Sequence, residues 1–293
     1  MMRLSSCSGR RCRDDRITVS VTVIRTSRTW GMISTTLPRS KLAGLSAIVV
    51  GTGRPVLLLH GVGLRAEAWG AQIKALRDTH HVIAPDMPGH GQTPRNRQCK
   101  VLDDYVQAVL PLLRMLDEPA LLVGHSMGAM IALELASSAP ECVRAVAALN
   151  AIFERSDGAK AAVQARADSL DGYTVPDPTP TLERWFGTGP SSQRSACDHW
   201  LRMADPLGYK QAYTAFAHAD GPSRQALGGL KCPALFATGA IEPNSTPDMS
   251  RMMADLAPQG RALVIDGAAH MMPMTHAADV NSALSALAEE VWP

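Results

Sequence analysis

The sequence predicts an α/β fold: a mostly parallel β-sheet with helices on both faces and a helical cap inserted late in the chain. Three observations carry this. Short, continuously apolar runs such as 55–60 (PVLLLH) and 120–124 (ALLVG) alternate with helical segments; a strand apolar on both faces belongs inside a parallel sheet. The turn Gly124-His125-Ser126-Met127-Gly128 joins one such strand directly to a helix. The alternation stops at about 153–229 and then resumes, as an insertion requires.

In order, 44–50 (GLSAIVV) and 55–60 read as a strand pair joined through Gly51, Gly53 and Pro55. Residues 66–78 have helical spacing at Trp69, Ile73 and Leu76. A short apolar run, 82–85, is a strand, and 102–116 is a helix with Pro111 inside it. Strand 120–124 leads into helix 127–138, which Pro140 stops, and 143–149 is the next strand. Strands at 234–238 and 262–265 are each followed by a helix, at 247–256 and 277–291. The interval 153–229 holds Ala-rich helical stretches, a turn-rich segment at 175–181, and Trp185, Phe186, Trp200 and Tyr209.

Composition excludes several classes. The 293 residues suffice for one large core, and 46% apolar with 19% charged residues excludes disorder. Residues 1–31 hold seven Arg and two Asp, while the rest of the chain carries 22 basic and 25 acidic residues. That mildly acidic body has no basic stripe, so no nucleic-acid partner is expected. The six cysteines form no C-x-x-C pair and no zinc spacing. Free thiols in a reducing compartment, a cytoplasmic location and no metal follow as expectations. No apolar run reaches the ~18 residues of a membrane helix. Residues 1–31 read first as an over-extended reading frame with Met32 as the true start, then as a disordered native tail, then as a targeting segment. Residues 32–293 read as a single domain carrying its cap.

The G-x-S-x-G pattern at 124–128 sits where a nucleophile needs it. A strand-to-helix turn this tight strains the serine backbone, and glycines two positions either side avoid side-chain clashes. Ser126 Oγ then projects above the sheet, near the positive end of the following helix. A serine hydroxyl needs a base, and His270, on the loop after the last predicted strand, has the right place in chain order. The base needs an orienting acid. Glu242, after the penultimate strand, is the candidate, with Asp248, Glu154 and Asp157 as competitors. Two backbone N–H groups are expected to hold the oxyanion, those of Val62 in His60-Gly61-Val62-Gly63 and of Met127. His60 and Gly61 read as structural supports of that loop. The turn 86–91 (DMPGHG) reads as architecture, with Asp86 holding it by hydrogen bonds.

Together, HGVG at 60–63, DMPGHG at 86–91, GHSMG at 124–128, TGAIEP at 238–243 and GAAH at 267–270 resemble the α/β-hydrolase family over about 42–291. The resemblance implies an eight-stranded, mostly parallel sheet, a cap after the sixth strand, no cofactor, and the roles just given for Ser126, His270, Val62 and Met127. The family usually has Asp where this chain has Glu242. ERWF at 183–186, ADPLGY at 204–209 and GAAH are similar to the 3-oxoadipate enol-lactonase group within that family. Position 126 is Ser, which excludes the Asp-nucleophile dehalogenases and epoxide hydrolases of this fold.

The expected activity is hydrolysis of a small carboxylic ester or lactone through an acyl-enzyme. C–C bond hydrolysis, acyl transfer or cofactor-free perhydrolysis on the same triad is the runner-up, and a non-catalytic binding member of the fold stands behind both. The expected partner is a small acyl substrate in a pocket between sheet and cap. Trp185, Phe186, Met203 and Met271 are the expected lining, and so apolar a wall favours a compact hydrophobic or aromatic substrate.

Overall fold

The structure, a computed structural model, describes residues 37–293, so the expected extension 1–31 and the start at Met32 lie outside the described residues. The sheet begins with a hairpin the apolar pattern did not reveal. Strand β1 (Arg39–Leu42) turns into β2 (Leu45–Val50) through Ala43 and Gly44, at φ 48° and 86°. With Leu42 opposite Leu45, this is a two-residue loop whose twist requires positive φ at both positions.

Strand β3 (Arg54–Leu59) does not pair with β2, contrary to the expected strand pair. β4 (His80–Pro85) lies between them. The linking loop passes so close to the chain entering β4 that a Cβ on Gly51 would lie 2.1 Å from the His80 carbonyl oxygen and 2.4 Å from that of Arg77. Glycine at that point lets the chain step across the end of β4.

The remaining strands are β5 (Ala120–His125), β6 (Val143–Leu149), β7 (Ala234–Gly239) and β8 (Gly260–Ile265). The eight-stranded sheet runs β1-β2-β4-β3-β5-β6-β7-β8, antiparallel only at the β1/β2 and β2/β4 pairings. Successive side chains of a strand point to opposite faces, and both faces are covered. Val56, Leu58, Leu121 and Val123 pack against Trp69, Ile73 and Leu76, on a 3-10 turn (Ala66–Trp69) and helix α1 (Gly70–Leu76), and against Leu284 and Leu287 of the last helix. Leu57, Leu59, Ile83 and Leu122 pack on the other side against α2 (Leu102–Arg114) and α3 (Met127–Ser138).

At about 1.5–3 kcal/mol per fully buried large apolar side chain, the six buried residues of α2 outweigh the ~3 kcal/mol cost of Pro111 inside that helix. Pro111 and Gln107, whose carbonyl loses its partner N–H, both face solvent.

Five helices stand between β6 and β7: α4 (Asp157–Ser169), α5 (Thr179–Phe186), α6 (Ser192–Arg202), α7 (Pro206–His218) and α8 (Arg224–Gly228). Four begin at a capping oxygen, on Ser156, Ser191, Asp205 and Ser223, that accepts an N–H of the first turn. Leu170, Leu182, Trp185, Cys197, Leu201 and Tyr209 form their shared core, which reaches Leu64 and Met271 of the sheet domain. The chain closes with α9 (Pro247–Leu256), α10 (Met272–Thr275) and α11 (Ala277–Val291). Among the described residues no helix is long and apolar enough to cross a membrane.

Candidate active site

Ser126 sits between β5 and α3 at φ 56°, ψ −119°, a conformation an L-residue adopts only when its surroundings impose it. Those surroundings are visible. The Ser126 N–H donates to the Leu149 carbonyl at 2.9 Å. A Cβ on Gly124 would lie 2.1 Å from the Gly128 carbonyl oxygen, and one on Gly128 would lie 2.1 Å from that of Leu59. The turn therefore closes only with glycine at both flanks.

His270 lies on the loop between β8 and α10, and its Nδ1 is 3.2 Å from Oε2 of Glu242. The Glu242 side chain is fully buried. Its other oxygen, Oε1, accepts the N–H groups of Asn244 (2.8 Å) and Ser245 (3.3 Å). Burial pushes this carboxyl up; the His270 charge and hydrogen bond and the two amides outweigh it and hold the group below the ordinary carboxylate value. The competing carboxylates are engaged elsewhere: Glu154 pairs with Arg224, and Asp248 with Arg251. Asp157 opens α4 on an exposed face.

Val62 and Gly61 lie on the wall of the cavity that contains Ser126 and His270. A Cβ on Gly61 would lie 3.0 Å from Cβ of Ser126, so this loop runs in contact with the serine. The Met127 side chain is buried, and its N–H is among the opening N–H groups of α3, which have no intrahelical partner. His60 supports the loop: Nδ1–H donates to the Gly61 carbonyl (2.8 Å) and Nε2 accepts the Met87 N–H (2.9 Å). Asp86 accepts the N–H groups of Ala66 and Gln92 and a guanidinium N–H of Arg39. The two motifs 60–63 and 86–91 thereby brace each other.

The cavity has a volume of about 420 Å³ and lies between the sheet and the cap. Trp185 lines it; Phe186, Met203 and Met271 do not. Met271 is fully buried in the cap core, Phe186 packs against that core, and Met203 is 69% exposed beside a separate depression near His90 and Trp200. An apolar side chain near a cap reads as lining; packing takes up Met271 and Phe186 instead, and Met203 faces solvent.

The wall is largely apolar and aromatic, with Leu64, Ile152, Trp185, Tyr209, Tyr213 and Phe216 on it, and three arginines add positive charge that the sequence reading did not anticipate. Arg155, Arg166 and Arg184 line the cavity, and no carboxylate side chain does. Arg155 donates to the carbonyls of Ala219 and Phe216 and lies over the Phe216 ring. Arg166 donates to Thr181 Oγ1 at 2.8 Å and lies over the Tyr213 ring. Arg184 is exposed on α5. A signal for one of them is present: residues 156, 159, 162/163 and 166 recur at helical spacing, so α4 turns one face with Arg166 toward the cavity.

Among the described residues no group of three or more His, Cys, Asp or Glu side chains could hold a metal ion. The described cysteines are free thiols, and none lines the cavity. Burial pushes Cys197 up to about 12 and Cys99 and Cys232 to about 11, which keeps them un-ionised.

The profile of the alpha/beta hydrolase family matches residues 56–283. The chain belongs to the alpha/beta hydrolase family. It is 38% identical over 262 residues to the (E)-2-((N-methylformamido)methylene)succinate hydrolase of Acinetobacter baylyi, covering 88% of this chain and 99% of that one. Among solved structures it is similar to a thermophilic esterase from Thermogutta terrifontis (TM-score 0.76, 25% identity, 87% of this chain and 99% of that chain). It shares the fold of the enol-lactonase from Burkholderia xenovorans LB400 (TM-score 0.74, 21% identity, 86% and 100% covered). Hydrolases of this family are enzymes, and the eight-stranded sheet with its inserted cap is their fold.

Proposed function

We propose that this alpha/beta hydrolase is a serine hydrolase that removes an acyl group from a dicarboxylate, of the N-acyl aminomethylene succinate class. The observation that carries the substrate class is the cavity wall: Ser126 and His270 share it with three arginines and no carboxylate side chain. Guanidinium groups bind carboxylates by charge-assisted, often bidentate hydrogen bonds. A substrate carboxylate would give these guanidinium groups a charged partner inside the cavity. The substrate named for the Acinetobacter relative is a succinate derivative, in keeping with this reading.

Ser126 Oγ attacks the acyl carbonyl while Nε2 of His270 takes its proton. Glu242, hydrogen-bonded to Nδ1, fixes the tautomer and stabilises the imidazolium. The oxyanion forms against the N–H groups of Val62 and Met127. Collapse breaks the acyl–nitrogen bond, and His270 returns its proton to the leaving nitrogen. Conjugation of that nitrogen through the double bond to a carboxylate makes it a better leaving group than an ordinary amine. Water, deprotonated by His270, then releases the acyl group from Ser126.

Two experiments test this. A fluorophosphonate probe is expected to label Ser126 and to leave Ser126→Ala unlabelled. Initial rates are expected to be high on N-formyl and N-acetyl aminomethylene succinates and at least tenfold lower on their dimethyl esters. Simple esters and a lactone complete the panel. Faster turnover of neutral esters or lactones than of the dicarboxylates sinks the substrate assignment; absence of labelling in folded protein sinks the serine mechanism.

A further inference from the structure

We propose that Trp185, on the cap, is a positioning residue for His270. The inference rests on His270 acting as the base. The indole of Trp185, 8% exposed, stacks on the His270 imidazole with centroids 5.5 Å apart and planes 21° from parallel. The His125 ring lies 4.8 Å from the same imidazole at 54°, and its Nε2 is 2.8 Å from the His270 carbonyl. A carbonyl only accepts, so His125 Nε2 carries the proton. Burial, with the nearby His270, pushes His125 down to about 3, so it stays a neutral donor at working pH.

The geometry explains why such a clamp is needed. His270 stands on a loop, outside regular structure. Its bond to Glu242 is a single contact at the ring edge, and one hydrogen bond is a hinge: the imidazole can tilt about it and swing Nε2 away from Ser126. A ring stacked on its face removes the tilt. His125, adjacent to Ser126 in sequence, holds the backbone of the same residue. His270 is thus held at edge, face and main chain by β7–α9, the cap and the elbow itself. A catalytic group must sit within about 0.5 Å of its productive position.

Trp185 follows Arg184 on α5, and both line the cavity. The indole that faces His270 is therefore carried by a cap helix and not by the sheet domain.

The test uses Trp185→Leu and Trp185→Phe in the full chain. Trp185→Leu is expected to lower kcat about tenfold, the factor that loss of an aromatic stack carries, with KM moved less; Trp185→Phe is expected to recover most of kcat. The independent readout is NMR of histidine-labelled protein. Stacking shifts the His270 ring protons upfield in wild type, and this displacement should vanish in Trp185→Leu and remain in part in Trp185→Phe. A rise in KM with kcat unchanged, or unchanged His270 ring resonances in Trp185→Leu, overturns the proposal and leaves Trp185 a wall residue. If Trp185→Leu does not fold, the Trp185→Phe spectrum decides in the same way. Full activity of His270→Ala would instead overturn the base assignment; the ring-proton measurement reads the stack whether or not turnover needs it.

Discussion

Replacing Glu242 by Gln removes one charge and reverses one hydrogen bond, and the structure sets the size of the effect. Oε1 of Glu242 is held by two N–H donors, from Asn244 and Ser245. A glutamine in this buried site must keep its carbonyl oxygen there, because turning its NH₂ toward those amides would set donor against donor. Its NH₂ is therefore aimed at His270 Nδ1. That nitrogen becomes an acceptor, and the proton moves to Nε2, which then faces Ser126 as N–H and can take no proton from it. The imidazolium also loses its counter-charge. At about 4 Å and an effective dielectric constant near 20, that attraction is about 4 kcal/mol, or about 10³-fold in rate; the wrong tautomer brings the loss toward about 10⁴-fold.

Steady-state hydrolysis of an N-formyl aminomethylene succinate measures this directly. The loss is expected in kcat with KM nearly unchanged, because Glu242 is not on the cavity wall. A kcat within tenfold of wild type refutes the reasoning and moves the acid role to another group.

Further outcomes are expected. Arg184→Met and Arg166→Met should each raise KM for the dicarboxylate by about tenfold or more, the worth of one charge-assisted hydrogen-bonded contact, and leave the dimethyl ester unaffected; equal losses on both substrates count against carboxylate recognition. Gly124→Ala should destabilise the protein by more than the ~1–3 kcal/mol of ordinary overpacking, because its Cβ would meet main-chain atoms at 2.1–2.5 Å; a denaturation midpoint equal to wild type contradicts the elbow geometry. Stability should fall on acidification below about pH 6.5. His60, His90 and His125 are buried with lowered pKa, the last two at about 3, so the unfolded chain binds protons that the fold refuses and stability rises with pH through that window. The depressed carboxyls of Glu242 and Asp86 add a second loss below the ordinary carboxylate range. Urea midpoints from pH 7.5 to 4 measure both; a flat profile from pH 7 to 5 contradicts the buried neutral histidines.

Much of this molecule was legible because backbone constraints leave marks in composition. Gly124 and Gly128 are required by atoms 2.1 Å from where a Cβ would stand, so the elbow around Ser126 has a spelling. Continuous apolar runs announce strands covered on both faces, and the order Ser126, Glu242, His270 follows from where successive loops emerge at one end of a parallel sheet. β1 was not legible. Its segment Arg-Ser-Lys-Leu lies at a sheet edge with a half-exposed pattern, and an edge strand owes its existence to pairing rather than to burial. The order of β2, β4 and β3 was hidden for a related reason: which strand a loop steps over is decided by long-range pairing, not by the loop.

The cap shows where reading a sequence by residue type misleads. Among the aromatic and methionine side chains that suggest a wall, Trp185 lines the cavity, whereas Met271 and Phe186 serve the core between cap helices. The charge facing the cavity is carried by arginines, the residue type that surface statistics assign to solvent. Arg155 shows the physical reason. It is 6% exposed, and its guanidinium is spent partly on main-chain carbonyls and on the Phe216 ring. Burying a charge this deeply is costly unless something compensates it, and the Asp220 carboxylate stands 3.7 Å away, longer than a direct hydrogen bond. A substrate carboxylate would supply what that pairing lacks. The backbone geometry around Ser126 is thus recorded in composition, whereas the guanidinium groups facing the cavity, on which the proposed dicarboxylate recognition rests, become visible only in the folded arrangement.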